Sequence, residues 1–293
     1  MMSYSTRVFS SWLAASLLLT SCWGNSDRGA RVAYGTEVPD GLMPYFLDLR
    51  SWNEGDDGQY WCEGTLIASG WVLTAAGCVM SSRVPHDNVV FRIGVDSSNP
   101  TIVRPSAFST FVPDDFDPEM QWEVADTLYG NIALIKVPDL ENIQGMKYPS
   151  LPKSMDELDS APILVTAGTG EDETGTQDVT DLKFVTLSRV NIDGAPIAQD
   201  AFLAVDLGGD NQGFCSYDYG AGLIVPGKRW VGATDDDDEL EAKRGELTDE
   251  MDVIVGVASF PFLFDSFCGG DGAYMFTNVF YWLSWIEETM AAN

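Results

Sequence analysis

Short apolar runs alternate with turn residues along most of the chain. Leu66-Ile67, Trp71-Val72-Leu73, Val89-Val90-Phe91, Ile132 to Val137, Ile163-Leu164-Val165, Leu223-Ile224-Val225 and Val253 to Val257 are each too short for a helix of ordinary length. Runs of this size, bounded by Gly, Pro, Asn, Asp and Ser, predict strands, and many of them predict an all-β sandwich or barrel. Residues 138–162 hold Pro138, Pro149, Pro152 and Pro162 and are expected to join two halves. The C-terminus is the exception to the strand pattern. Val279, Trp282, Leu283 and Ile286 fall on one helical face, with Asn278 placed as an N-cap. The aromatics of that face are expected to be core packing. No repeat of fixed short period is present.

Composition narrows the partners. Sixteen Lys and Arg stand against 45 Asp and Glu, for a net charge of −29. Apolar residues make up 45% and charged residues 21% of 293, which is a globular composition with enough apolar surface for a real core. A surface that binds nucleic acid needs clustered cations, and this chain has few. The same charge disfavours electrostatic attraction to anionic lipid and favours solubility or cationic partners.

The N-terminus reads as an address. Arg7 is the sole charge before Asp27, and Phe9 to Leu19 is mostly apolar. A basic flank, a short apolar stretch and a small-residue end predict a signal segment at 1–21 and a polar linker at 22–31. Leu19-Thr20-Ser21-Cys22 resembles a bacterial lipobox, which would lipidate Cys22; the alternative is ordinary cleavage near Cys22 without lipid. Export would place the protein at the outer membrane or in the periplasm if anchored, and outside the cell otherwise. A membrane is a partner only through that anchor.

Five cysteines are present: Cys22, Cys62, Cys78, Cys215 and Cys268. In an oxidising compartment four of them form two bridges, and spacing alone leaves three pairings open. There is no CxxC, and His86 is the single histidine, so no zinc site and no cofactor are expected. Residues 235–252 carry ten acids and two bases. Leu240 occupies the position where an EF-hand loop needs glycine, so this segment is expected to be a solvated insertion, with looser calcium binding as the alternative.

Several segments together carry a family resemblance. Arg31-Val32-Ala33-Tyr34-Gly35 resembles the activation junction of the trypsin/chymotrypsin family. Trp71 through Cys78 resembles its histidine motif, Asn131 through Val137 its aspartate motif, and Cys215 through Ile224 its serine motif. Gly168-Thr169-Gly170 is similar to the start of its second barrel. Val255 to Phe260 and Phe276 through Ile286 are similar to its closing strands and helix. The resemblance runs in order from about Arg31 to the C-terminus. It implies two six-stranded antiparallel β-barrels with a C-terminal helix, the first at about 32–145 and the second, with the helix, at about 160–293. It also implies the bridges Cys62–Cys78 and Cys215–Cys268.

Acyl transfer in this family uses a hydroxyl nucleophile, an imidazole base and an orienting carboxylate. The corresponding positions here hold Tyr219, Gly77 and Asn131. Tyr217 stands where the family has an oxyanion-site glycine, Gly213 at the base of the specificity pocket with Phe214 after it, and Pro261 where a glycine pairs with substrate. Ser259 is retained. The resemblance thus implies a degenerate protease homologue with no catalytic residues, acting by binding an unidentified protein or surface ligand. The alternative is a serine-type endopeptidase. Phe260-Pro261-Phe262-Leu263-Phe264 is a candidate contact loop or, alternatively, a filling for the old pocket. In active relatives, cleavage after the basic residue frees an amine that pairs with the aspartate before the serine. Arg31, Val32 and Asp218 are the remnants of that device, and the expectation is a chain left uncut and anchored.

Overall fold

The computed structural model describes residues 35–51, 59–80, 89–94, 101–117, 129–169, 182–191, 198–207, 213, 218–230, 247, 251–262 and 273–293. The signal and linker segments, Cys22, Arg31, Val32, His86, Phe214, Cys215, Tyr217, Cys268 and most of the acidic segment lie outside these residues.

The apolar runs are strands, as their length predicts. The first sheet contains β2 (Phe46–Ser51), β3 (Gln59–Ala68), β4 (Trp71–Thr74), β5 (Val89–Ile93), β6 (Thr101–Val103), β7 (Ser109–Phe111) and β8 (Ala133–Lys136). Their order is β6-β5-β2-β3-β4-β8-β7, with every described pairing antiparallel. The two end strands, β6 and β7, are consecutive in the chain. Residues 104–108 between them include Pro105, which has no N–H for a ladder. The break is pinned from outside: the Ser106 N–H donates to Asp139 Oδ2 at 2.7 Å and its hydroxyl at 3.1 Å. The sheet therefore curls into a half-barrel, and covalent chain bridges its two ends.

The second sheet closes. β9 (Leu164–Gly168), β10 (Lys183–Val190), β11 (Ala201–Asp206), β14 (Ala273–Asn278), β13 (Val253–Phe262) and β12 (Gly222–Val225) form a ring, because β9 pairs with both β12 and β10. β1 (Thr36–Glu37) adds to β10, so the start of the described chain belongs to the second sheet rather than to the first barrel. The proline-bearing connector does join the two halves, leaving β8 at Lys136 and reaching β9 at Leu164. It contains the short helix α2 (Asp156–Asp159).

Two helical features differ from expectation. Ala76–Met80 forms a short helix, α1, directly after β4. The C-terminal helix α3 begins later than predicted, at Leu283–Ala292. Asn278 instead caps the turn before it, where its Oδ1 accepts the N–H groups of Phe280 at 3.0 Å and Tyr281 at 3.4 Å. The turn satisfies donors that a helix start would leave orphaned, so the helix is delayed. Val279, Trp282 and Ile286 are buried as the periodicity predicts, and Leu283 is half-buried.

Two fully buried carboxylates fasten this architecture. Asp252 closes the segment expected to be solvated, yet it is 0% exposed. Its Oδ2 accepts the Tyr45 hydroxyl at 2.5 Å and the Arg229 guanidinium; its Oδ1 accepts the Gly227 N–H at 2.8 Å and Trp230 Nε1 at 3.0 Å. Tyr45 comes from the first half and the other donors from the second. Leu247 is buried too. For these residues the acidic reading is corrected: charge density along the sequence does not report the one carboxylate that converging donors make tolerable in the interior. The second carboxylate, Asp200, accepts the Gly130 N–H at 2.9 Å and Trp282 Nε1 at 2.6 Å. Burial raises its pKa above the ordinary 3.8, and those two hydrogen bonds oppose the rise.

Two stability outcomes follow. Asp252→Ala strands the Arg229, Tyr45 and Trp230 donors and should cost about 3–5 kcal/mol in chemical denaturation. A loss near zero would contradict the fastening role. For Asp200 the folded pKa is raised, so its contribution is full below 3.8 and declines as pH rises through the folded pKa. The stability of wild type relative to Asp200→Asn should therefore fall as pH rises above 3.8. Denaturation of both proteins across that window checks this, and a constant or rising difference would contradict it.

Candidate functional site

The three positions singled out in the sequence converge between the two sheets. Gly77 lies in α1, Asn131 immediately before β8, and Tyr219 in the turn before β12. The Gly77 N–H donates to Asn131 Oδ1 at 3.0 Å. A backbone N–H can only donate, so the amide oxygen faces Gly77 and the NH2 group faces the other way. There Nδ2 donates to Ser259 Oγ at 2.7 Å. The Asn131 carbonyl accepts the Thr277 hydroxyl at 3.0 Å. Asn131 is buried and held on three sides.

Ser259 reaches Asn131 because of an irregularity in β13. Its pairing with β14 shifts register between Ala258 and Phe260, which leaves Ser259 as the extra residue. A bulge of this kind re-aims a side chain that regular pleating would send elsewhere.

Tyr219 is held through its backbone. Its carbonyl accepts the Glu63 N–H at 2.7 Å and lies 3.6 Å from Cys78 Sγ. The next residue, Gly220, has φ +86 and donates its N–H to Ala258 O at 2.9 Å. Asp218, before Tyr219, is 1% exposed. The bridge Cys62–Cys78 is present as the resemblance implied, with 5.9 Å between Cα atoms, and ties β3 to α1 at this place. Cys215–Cys268 falls on residues outside the description.

Gly213 packs against Tyr274. A Cβ on Gly213 would lie 1.4 Å from the Tyr274 hydroxyl, so that hydroxyl occupies the space a side chain at 213 would need. Tyr274 is 2% exposed. The backbone of Phe260, Pro261 and Phe262 belongs to β13 and pairs with Met275, Tyr274 and Ala273.

The chemistry of this set is narrow. An asparagine amide neither accepts a proton near neutral pH nor stabilises an imidazolium as a carboxylate does. Gly77 offers a backbone N–H alone. Tyr129, two residues before Asn131, has its hydroxyl 2.9 Å from that of Tyr281. That hydrogen bond, with desolvation, pushes its pKa up to about 12, so it is no phenolate base at neutral pH. The single histidine, His86, lies outside the described residues.

Sequence reading did not single out Glu63, Thr169, Asp200, Asp252 or Tyr274. A signal existed for Glu63: it is a charge beside Cys62, within the strand β3. Asp48 and Arg50 give a similar one, inside the apolar run Phe46-Leu47-Asp48-Leu49.

Comparison with known proteins follows this geometry. The family model for trypsin matches residues 32–263. Collagenase of Hypoderma lineatum is 35% identical over 133 residues, 42% of this chain and 44% of that protein. Serine protease snk of Drosophila melanogaster is 26% identical over 260 residues, 87% of this chain and 55% of that protein. The chain spans about half the length of these curated relatives. The solved structure of HL collagenase superposes with a TM-score of 0.58 at 22% identity, covering 88% of this chain and 98% of that one, and so shares its fold. With the family match extending over most of the chain and the three motifs meeting at one place, the chain belongs to the trypsin family.

Proposed function

We propose that this chain is a trypsin-family protein without peptidase activity, exported and acting through binding. The observation that carries the reading is the Asn131 amide between Gly77 and Ser259. That place needs a proton acceptor for hydroxyl attack on an amide, and it holds an N–H donor, an amide and an alcohol instead. Tyr219 puts a phenol at the position where the family has its nucleophilic serine. Tyr274 over Gly213 supports the same reading, since a pocket for a substrate side chain cannot share that volume. Pro261 in β13 removes an N–H that an extended peptide would use.

The charge of −29 favours a cationic protein or surface ligand over an acidic one. Export and a lipid at Cys22 belong to the same proposal. They rest on the apolar segment ahead of Cys22 and on the oxidised Cys62–Cys78 pair, which persists in an oxidising compartment. A chain anchored at Cys22 cannot also release the Val32 amine without leaving the membrane.

Hydrolysis of peptide and ester substrates should stay at background, because removing a triad costs on the order of 10⁶ in turnover even in an intact site. Turnover lost on Tyr219→Phe would identify an endopeptidase instead. The triple variant Gly77→His, Asn131→Asp, Tyr219→Ser should remain inactive, because Gly213, Tyr274 and Pro261 are untouched by it. Recovery of activity would show that the pocket is not closed. N-terminal analysis of the native protein should find a chain starting at modified Cys22. A dominant sequence Val-Ala-Tyr-Gly would place the cut at Arg31 and overturn the anchored state.

A further inference from the structure

Glu63 links the first sheet to two separate segments of the second half. It lies in β3, and its side chain is 0% exposed. Its N–H donates to the Tyr219 carbonyl at 2.7 Å, and its own carbonyl accepts the Thr74 hydroxyl at 2.6 Å. Its Oε1 accepts the Thr169 N–H at 2.7 Å. Thr169 follows β9 of the second sheet, and its hydroxyl continues to Asp48 Oδ1 at 2.6 Å. Asp48 Oδ2 pairs with Arg50 at 3.0 Å. In the ladders Asp48 stands opposite Glu63 on one side and Arg92 on the other. Asp48, Glu63, Arg50 and Arg92 are all buried, and their formal charges cancel.

An ionised carboxylate in this position is costly unless paired and hydrogen-bonded, and a hydrophobic residue would fill the same space without that cost. What the carboxylate adds is direction. One residue addresses three segments: its backbone the Tyr219 turn and β4, its side chain the end of β9. From this geometry we infer that Glu63 is a positioning residue. It clasps the Tyr219 turn and the β9 end to the first sheet. The backbone bonds fix Tyr219 relative to β3, and the carboxylate fixes β3 relative to β9. This inference goes beyond the proposed function and does not depend on it, since the clasp acts equally in a binding protein and in an enzyme. In a binding protein it would present a pre-formed surface, so that little ordering remains for a partner to impose.

The test is amide hydrogen exchange of the full chain, resolved by residue. Glu63→Ala keeps the backbone bond to Tyr219 and removes the acceptor for the Thr169 N–H, so it should raise exchange at Thr169 by at least about tenfold, a coupling of about 1.4 kcal/mol. Exchange over Ala133 to Lys136 should change less than threefold. Glu63→Gln keeps an acceptor for the Thr169 N–H and should restore most of the protection, which a purely electrostatic role would not allow. If Glu63→Ala does not fold, Glu63→Leu, which keeps the volume and removes the acceptor, should raise exchange at Thr169 with β8 unaffected. Equal acceleration in all regions would reduce Glu63 to general stability and overturn the inference. Unchanged exchange at Thr169 in Glu63→Ala or in Glu63→Leu would do the same.

Discussion

A Cβ placed on residue 220 would lie 2.3 Å from the Glu63 carbonyl and 2.3 Å from the Thr74 hydroxyl. No side chain fits there, and the backbone angle of φ +86 excludes most residues in any case. Much of the structure depends on this contact. It lets the turn before β12 press its backbone against β3 and β4, so that the Tyr219 carbonyl reaches the Glu63 N–H. At this place the two halves meet along backbone hydrogen bonds, beside the apolar core that they share. Gly77, Asn131, Ser259 and Tyr219 come together as a consequence of that approach, whatever chemistry they carry.

In the proposed reading, the site keeps the scaffold of its family with different chemistry. Asn131 has the shape of an aspartate and accepts the Gly77 N–H as a carboxylate would. Its other arm has become a donor, and Ser259 has become the acceptor. Asn131 is hydrogen-bonded to Gly77, Ser259 and Thr277, which offsets the cost of burying its polar groups and keeps the local fold. In the function proposed above, this geometry is stable without being reactive. Shape and reactivity separate here because hydrogen bonding asks for a donor and an acceptor, whereas general base catalysis asks for a particular pKa.

The strands were legible because their apolar runs are buried on both faces; β4, β5 and β9 are buried at every position. β6 and β7 were not, because Thr101–Val103 and Ser109–Phe111 are half-exposed and carry no apolar run. The site positions were legible through the motifs around them: Trp71 to Cys78 and Asn131 to Val137 keep their packing residues even where the reactive ones differ. Glu63, Asp200 and Asp252 were hidden for one shared reason. A buried carboxylate is identified by the donors around it, and those donors come from distant parts of the chain. Asp252 takes Tyr45 from 207 residues away, which no local window contains.

The central claim is that the place where Gly77, Asn131 and Tyr219 meet cannot activate a nucleophile. The most direct measurement is intact-mass analysis after exposure to a fluorophosphonate, which labels an activated hydroxyl irrespective of substrate preference. The account predicts no adduct under conditions that label an active trypsin-family enzyme to completion. A stoichiometric adduct that maps to Tyr219 or Ser259, and disappears in Tyr219→Phe or Ser259→Ala, would contradict it.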